Sequence, residues 1–383
     1  MIERHATYRP LKRNTAIDIL RGFCILAVIL LHLNIQVPFK ETAIGEWLPK
    51  RWYNLFFWSG FYGVIIFFTV SGYLITGSAL HKWKYLTKVD TKHFYIMRFA
   101  RIMPLLLALL VVLAALHLCN VPSFTIPSEK VSLGRAIFAA LTFHINWLEI
   151  KVGYLPANWD VLWSISIEEV FYLFFPLLCL LARKEWHFAV LITVFLFISP
   201  WARTGMIPNN ELGDRNHLAF LDAIAIGCLV AMFAYRINFG RIWARIFGLL
   251  GSILLVLTLF YRGEVYRAGL VGVGLNITLL ALGVGLVLLW MHYRLYCGKH
   301  KRKFWSGGIR SLGALSYEMY LTHMFVVIAG VSLFKKMDLS SEWIYVMYLT
   351  VIIGSALLAK ALHVWFTEPV NRWIRAKYIK KEG

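Results

Sequence analysis

The stretch LRGFCILAVILLHLN (residues 20–34) has the apolar character of a membrane-spanning helix, yet it carries two ionisable residues, Arg21 and His32. Such residues are rare inside spans because burial in hydrocarbon is costly unless they are paired or hydrated. They are eleven positions apart, which on an α-helix corresponds to about 1100°, roughly 20° beyond three full turns, and a rise of ~16 Å. Both side chains therefore project from one face of the predicted helix.

The whole chain has the composition of a membrane protein. Of its 383 residues, 59% are apolar and only 16% are charged, whereas soluble domains carry about 25% charged residues. We therefore predict an all-α polytopic membrane protein that forms a single domain over residues 1–383. We expect no fused soluble domain after its last span.

Ten stretches approach the roughly 20 apolar residues that a spanning helix needs. They cover residues 16–34, 58–80, 102–119, 163–181, 187–201, 217–234, 243–260, 268–290, 309–334 and 343–366. An eleventh candidate, residues 133–147, is less apolar and contains Arg135, His144 and Asn146.

Loop charges predict the orientation of the spans, because basic residues collect in cytoplasmic loops. The strongly basic segments are residues 81–101, 236–245, 293–303 and the C-terminal tail, and the short or charge-balanced loops are residues 40–51, 262–267 and 335–342. These two groups alternate if residues 133–147 do not cross the membrane. We therefore predict both termini in the cytoplasm and an outer segment, residues 120–162, with a re-entrant or interfacial helix.

The net charge of +20 does not indicate a nucleic-acid partner, because no basic soluble domain is predicted to present these charges. The five cysteines have no spacing that suggests disulfides or a metal site, so we expect no metal. No cleavage site follows the first apolar run, and we expect this span to be retained.

Alternatives without catalysis exist for the polar residues of the first span. Arg21 could extend to the cytoplasmic headgroups, and His32 could make an interhelical hydrogen bond. Asp18 lies one turn before Arg21, close enough to pair with its guanidinium.

Two further motifs allow both a structural and a functional interpretation. In FFTVSGYL (residues 67–74), the pair Ser71 and Gly72 would let a neighbouring helix approach closely. In MRFARIMP (residues 97–104), Arg98 and Arg101 stand one turn apart just before the predicted start of a helix. Two guanidiniums beside a helix N-terminus favour phosphate binding, but they also suit a positive anchor for topology.

Carboxylates inside predicted spans are the least expected residues of the chain. Glu168 and Glu169 are adjacent in WSISIEEVFYLFFP (residues 163–176) and point to different faces, so we expect at most one of them to line a given cavity. Desolvation would favour proton transfer by such a group. LGALSYEMYLTHMF (residues 312–325) carries Glu318 and His323; Glu318 could instead serve helix packing.

In this order, the motifs resemble those of the acyltransferase-3 family of integral-membrane acyltransferases. The matching stretches are IDILRGFCILAVILLH (17–32), FFTVSGYLI (67–75), RFARIMP (98–104), WSISIEEVFYLFFP (163–176), LGALSYEMYLTH (312–323) and FTEPVNRW (366–373). The resemblance covers essentially the whole chain. It implies ten core spans and transfer of an acyl group, usually acetyl from acetyl-CoA, to a hydroxyl of a cell-surface or lipid-linked glycan such as lipopolysaccharide O-antigen.

On this basis we assign His32, Glu168 and Arg21 to catalysis, with His32 as base or transient acyl carrier and Glu168 orienting it or acting as the base. Arg98 and Arg101, with Ser71 and Tyr73, are assigned to binding of the acyl-CoA donor. Supporting roles fall to Asp18, Trp163, Ser164, Glu169, Tyr172, Tyr320 and His323. The expected location is a bacterial inner membrane.

A transporter or flippase of a lipid-linked sugar is the main alternative. Such a protein would also need charged residues around an inner cavity. Inverted-repeat symmetry would favour it, but the two halves of the chain do not resemble each other.

Overall fold

The computed structural model describes residues 14–207, 210–297 and 307–379. All regular secondary structure in these residues is helical, and ten helical segments are long and apolar enough to cross a membrane. The prediction of an all-α protein with ten spans is confirmed.

The spanning helices are numbered here in chain order. They are α1 (Thr15–Gln36), α2 (Gly60–Trp83), α3 (Thr91–Leu118), α4 (Leu162–Leu181), α5 (Glu185–Thr193 with Phe195–Thr204), α6 (Leu221–Arg236), α7 (Arg241–Leu259), α8 (Leu275–Cys297), α9 (Ser316–Lys336) and α10 (Ile344–Leu362). Shorter helices are Ala43–Trp47, Lys50–Phe57, Leu133–Leu141, Ile145–Val152, Arg262–Arg267 and Gly307–Ala314. After α10 the chain continues through a π-helical turn, His363–Thr367, into a final helix, Glu368–Tyr378.

The start of α3 differs from the prediction, which placed the helix at residues 102–119. The helix begins at Thr91 because the Asp90 side chain accepts a hydrogen bond from the His93 backbone and caps it. Arg98 and Arg101 therefore lie well inside the helix. The idea that a helix N-terminus assists them in phosphate binding is wrong.

Two other helix boundaries also differ from the prediction, each for a local structural reason. The eighth span was predicted from residue 268, but α8 begins at Leu275, after Gly269 and Gly274 turn the backbone with φ of +75° and +72°. The ninth span was predicted over residues 309–334, whereas a separate helix, Gly307–Ala314, precedes α9 and packs against α1.

The segment at residues 120–156 contains no helix long enough to cross a membrane. It contains two short helices, Leu133–Leu141 and Ile145–Val152, of nine and eight residues. Each is far shorter than the roughly 20 residues of a span. The interpretation of residues 133–147 as less than a full span is confirmed.

Helices α2 and α6 pack with almost no gap between their backbones, as the Ser71-Gly72 pair suggested. A Cβ atom added to Gly72 would lie 2.0 Å from the Ile224 carbonyl oxygen, and one added to Gly227 would lie 2.0 Å from the Thr69 carbonyl oxygen. Such small residues let helices approach closely in membranes. This contact holds α2 in place, so that the side chain of the neighbouring Ser71 faces a cavity.

We expect Gly72→Ala to destabilise the fold, because the added methyl group forces α2 and α6 apart. Overpacking of this kind costs about 1–3 kcal/mol. The midpoint of thermal unfolding of the detergent-solubilised protein measures the effect. Gly134→Ala is the control, since no atom lies within 4 Å of a Cβ added there. Equal midpoints for the two variants would contradict the close packing.

Candidate active site

A cavity of about 220 Å³, called the main cavity here, lies among α1, α2, α3, α4 and α9. The first five of the six stretches that resemble the acyltransferase-3 motifs each contribute to its wall. The polar and aromatic-hydroxyl residues that they contribute are Arg21, Ser71, Arg98, Arg101, Ser164, Glu168, Glu169, Tyr172, Ser316, Tyr317 and Tyr320. Charged and polar residues far apart in the chain thus meet in one cavity, beside apolar side chains of the same helices.

Glu168 is the hydrogen-bonding centre of the main cavity. Its Oε1 accepts from the Ser71 hydroxyl at 2.5 Å and from the Tyr172 hydroxyl, and these two hydroxyls also contact each other. The Arg98 guanidinium in turn lies over the Tyr172 ring, 4.4 Å from its centroid, in a cation–π contact. The network holds a carboxylate and a cation in place on facing helices.

Glu169 also lines the main cavity. The prediction that at most one of the two glutamates would line a given cavity is wrong. Adjacent helical residues point about 100° apart, and the cavity extends far enough around α4 for both to reach it.

Arg21 lies at the junction of the main cavity with a second one, since it lines both. It interacts electrostatically with Asp18, Arg101, Glu168 and Tyr172. The predicted partnership between Asp18 and Arg21 is therefore supported by their positions.

His32 and His323 form a histidine pair between α1 and α9. His32 Nδ1 lies 3.1 Å from His323 Nε2, and the ring centroids are 5.0 Å apart. His323 is fully buried, whereas His32 is half-buried. Glu168 contacts Ser71 and Tyr172 instead, so the idea that it orients His32 by direct contact is not supported.

Backbone carbonyl groups define the tautomer of both neutral rings. His32 Nδ1 lies 2.9 Å from the Val28 carbonyl oxygen, and His323 Nδ1 lies 2.8 Å from that of Tyr320. Because a carbonyl oxygen only accepts, each Nδ1 carries the proton. His323 Nε2 then accepts from His32, which leaves His32 Nε2 as the unprotonated nitrogen that can take up a proton.

Tyr320 stands between the main cavity and the histidine pair. It lines the cavity, and its ring centroid is 6.1 Å from that of His323. Its hydroxyl is hydrogen-bonded to Ser164 at 2.6 Å and donates to the Val161 carbonyl oxygen at 3.1 Å. Tyr320 therefore contacts both the main cavity and the histidine pair.

An ionic cluster that the sequence did not reveal lies near the histidine pair. Arg215 Nη1 is 2.9 Å from Glu149 Oε2 and 2.7 Å from Asp160 Oδ1. Its guanidinium also lies 4.9 Å from the centroid of Trp163, which gives that supporting residue a place outside the main cavity. Asp160 and Arg215 both interact electrostatically with His32.

Two carboxylates share one guanidinium in this cluster. Burial raises the pKa of the Glu149 carboxyl well above its ordinary value, the neighbouring Asp160 raises it further, and Arg215 opposes both. The signal in the sequence was weak, because Glu149, Asp160 and Arg215 all lie outside the apolar stretches or at their ends.

Two other predicted residues have partners outside the main cavity. The Tyr73 hydroxyl is hydrogen-bonded to His292 Nδ1 at 2.7 Å. Glu318 accepts from His363 and from Thr367, each at 2.8 Å, which supports its packing role. Among the described residues, no cluster of three or more histidine, cysteine or acidic side chains is arranged to hold a metal ion.

Known proteins resemble this chain along most of its length. O-acetyltransferase OatA of Staphylococcus aureus strain NCTC 8325 / PS 47 is 25% identical over 389 residues, which cover 93% of this chain and 57% of that protein. The OatA proteins of strains COL and MRSA252 give the same values. The chain thus spans 57% of the length of these curated relatives. No solved structure matches it significantly.

The family assignment rests on a much longer match than any single motif. The sequence profile of the acyltransferase-3 family, described as an acyltransferase domain, matches residues 14–365. This range contains all ten spans through α10 and every residue of the main cavity and histidine pair. The chain belongs to the acyltransferase-3 family.

Proposed function

We propose that this protein is an acyl-CoA-dependent membrane O-acyltransferase. It transfers an acyl group, in the first instance acetyl from acetyl-CoA, to a hydroxyl of a cell-surface or lipid-linked glycan such as lipopolysaccharide O-antigen. We place it in the bacterial inner membrane. The observation that carries the proposal is an arginine-lined cavity whose wall includes Tyr320, the tyrosine beside a histidine pair with one unprotonated nitrogen.

The donor enters, in this proposal, from the cytoplasmic end of the bundle. Arg98 and Arg101 lie on α3 toward that end and present two guanidiniums to the main cavity. Guanidinium groups match the phosphates of an acyl-CoA in charge and geometry. The thioester end then extends past Ser71 and Glu168 toward Tyr320.

The histidine pair supplies the base. The acceptor hydroxyl gives its proton to His32 Nε2 as its oxygen attacks the thioester carbonyl carbon. A C–O bond forms, the C–S bond breaks, and the proton then passes to the leaving thiolate of CoA. His323 keeps the His32 ring in the required tautomer, because its Nε2 accepts from His32 Nδ1. Direct acyl transfer and a transient acyl-histidine both use this nitrogen.

If Arg101 belongs to the donor site, Arg101→Ala should weaken the binding of acetyl-CoA. Loss of a charge-assisted hydrogen-bonding partner costs about 1.5–3 kcal/mol, which corresponds to a roughly ten- to more than hundredfold weaker affinity for acetyl-CoA. Equilibrium binding to the purified protein in detergent micelles measures the change.

Arg294→Ala is the matched control for Arg101→Ala. Arg294 lies on α8 with its guanidinium 4.9 Å from the centroid of the Trp290 ring, and it lines neither cavity. Its loss should leave acetyl-CoA affinity unchanged. If Arg101→Ala behaved in the same way, Arg98 and Arg101 would return to the role of topology anchors.

The proposed orientation has its own test. Ser128 is exposed in the segment that we place outside, so Ser128→Cys should react with an impermeant thiol reagent in intact cells. The background must lack the exposed Cys119 and also Cys297. Labelling only after permeabilisation would contradict an outer location and with it the predicted cytoplasmic termini.

The activity itself is tested with the purified protein in liposomes. Acetyl-CoA labelled in its acetyl group should transfer label to a glycan or lipid-linked glycan, and mass spectrometry of surface glycans with and without the protein identifies the acceptor. Movement of a lipid-linked sugar across the bilayer without any incorporation of acetyl groups would instead support a transporter or flippase.

A further inference from the structure

The second cavity, of about 340 Å³, adjoins the main cavity at the end of the bundle where α1 begins. The two cavities share four lining residues, Arg21, Leu74, Ser78 and Arg101. The two cavities therefore lie directly beside each other. A ligand longer than the main cavity could extend from it into the second one.

One wall of the second cavity is aromatic. Tyr235 of α6 and Tyr296 of α8 line it and are joined by a side-chain hydrogen bond. The His292 ring lies behind them, with its centroid 5.0 Å from that of Tyr235 and 4.7 Å from that of Tyr296. The Tyr73 hydroxyl holds His292 at 2.7 Å. The wall is thus fixed by contacts among three helices.

The backbone of α2 leaves space for this wall. A Cβ atom added to Gly77 would lie 3.0 Å from Tyr235 Cε2, tighter than an ordinary contact, so the ring lies directly against the glycine. Aromatic faces held in this way bind flat, conjugated rings by stacking.

The second cavity has its positive charges at the junction with the main cavity and a negative charge on α1. Arg21 and Arg101 stand at the junction with the main cavity, whereas the Asp18 carboxylate lines the second cavity on α1. Guanidiniums bind phosphate groups, and a carboxylate can accept from an exocyclic amino group. A purine nucleotide carries both of these groups on a flat ring system.

We propose that the second cavity binds the nucleotide of the acyl donor. The adenine ring stacks on the wall of Tyr235 and Tyr296, and the phosphates lie between Arg21 and Arg101. The acyl-bearing arm then extends into the main cavity. This inference rests on the proposed function, in which the donor is an acyl-CoA, and it places Tyr73 at the donor site, since Tyr73 lines the second cavity and also holds His292.

The test compares donors with and without the nucleoside, on the full-length protein in detergent micelles. Tyr296→Ala should weaken acetyl-CoA binding about 5- to 150-fold, the range typical of losing one base-stacking ring. Binding of S-acetyl-4′-phosphopantetheine, which lacks the nucleoside, should not change. Adenosine 3′,5′-bisphosphate should compete with acetyl-CoA in the unmodified protein and compete less well in the variant.

Two controls accompany Tyr296→Ala. Tyr296→Phe keeps the ring and should bind acetyl-CoA nearly as the unmodified protein does. Tyr293→Ala removes a tyrosine of the same helix whose ring lies 6.0 Å from that of Phe239, outside both cavities. It should bind both donors normally.

Equal weakening of both donors by Tyr296→Ala, or no weakening of either, would overturn the nucleotide site while leaving an acyl-CoA enzyme possible. Failure of the unmodified protein to bind acetyl-CoA at all would instead refute the proposed donor, and the nucleotide site would be refuted with it.

Discussion

Replacing His32 with glutamine should abolish acyl transfer. Of the two nitrogens of His32, Nδ1 faces the Val28 carbonyl oxygen and His323, so only Nε2 can take up a proton from an acceptor hydroxyl. Glutamine keeps hydrogen-bonding capacity but does not exchange protons near neutral pH. The rate of transfer from labelled acetyl-CoA should fall by at least the ~10²–10⁴-fold typical of losing a general base.

The same substitution should leave the donor site intact. Arg21 is on the same helix face but about 16 Å away along the helix, and His32 does not line the main cavity. Acetyl-CoA affinity should therefore be unchanged in His32→Gln. His187→Gln is the matched control, because His187 caps the start of α5 and lines neither cavity; it should keep full turnover.

Substantial turnover by His32→Gln would make His32 a packing residue. The base would then have to be Glu168 or His323. These alternatives differ in position, since Glu168 faces the main cavity directly and His323 is fully buried behind Tyr320.

The fold and most of the main cavity could be predicted because both leave a local signal. A span is a run of apolar residues, and a polar residue within such a run has few explanations other than a site. Arg21, Ser71 and Glu168 each interrupt an apolar stretch, and all three line the main cavity.

The helix boundaries and the partners of each side chain depended on contacts that no local pattern contains. The start of α3 is set by the Asp90 cap, and the basic stretch before residue 102 is helical although it is not apolar. His32 meets His323 rather than Glu168 because α9 packs on α1, a contact between residues 291 positions apart. Sequence spacing along one helix does not show which residue of another helix, His323 or Glu168, contacts His32.

The ionic cluster of Glu149, Asp160 and Arg215 was missed for a related reason. Charged residues outside apolar stretches are usually solvated, so their presence in a sequence does not predict a buried ionic cluster. Here the side chain of Arg215 is only 13% exposed and that of Glu149 is fully buried. Their burial follows from the folding of the short helix Ile145–Val152 against α4, which a hydropathy profile does not predict.

Arg215→Ala should therefore be among the most destabilising single changes in the protein. It leaves the carboxyl groups of Glu149 and Asp160 without their guanidinium, and breaking a buried ion pair from one side costs about 3–5 kcal/mol. The midpoint of thermal unfolding in detergent should fall clearly. Arg267→Ala, at an arginine whose side chain is 75% exposed in its pair with Glu264, should change the midpoint little.

A double variant separates the loss of charge balance from simple loss of packing. Glu149→Gln removes one of the two carboxylates that Arg215 neutralises, so Arg215→Ala combined with Glu149→Gln should recover part of the lost stability. If the double variant were as unstable as Arg215→Ala alone, the packing of the guanidinium against Tyr154 and Trp163, at 4.8 and 4.9 Å from their ring centroids, would be the dominant contribution. An unchanged midpoint for Arg215→Ala itself would contradict the cluster as a structural element.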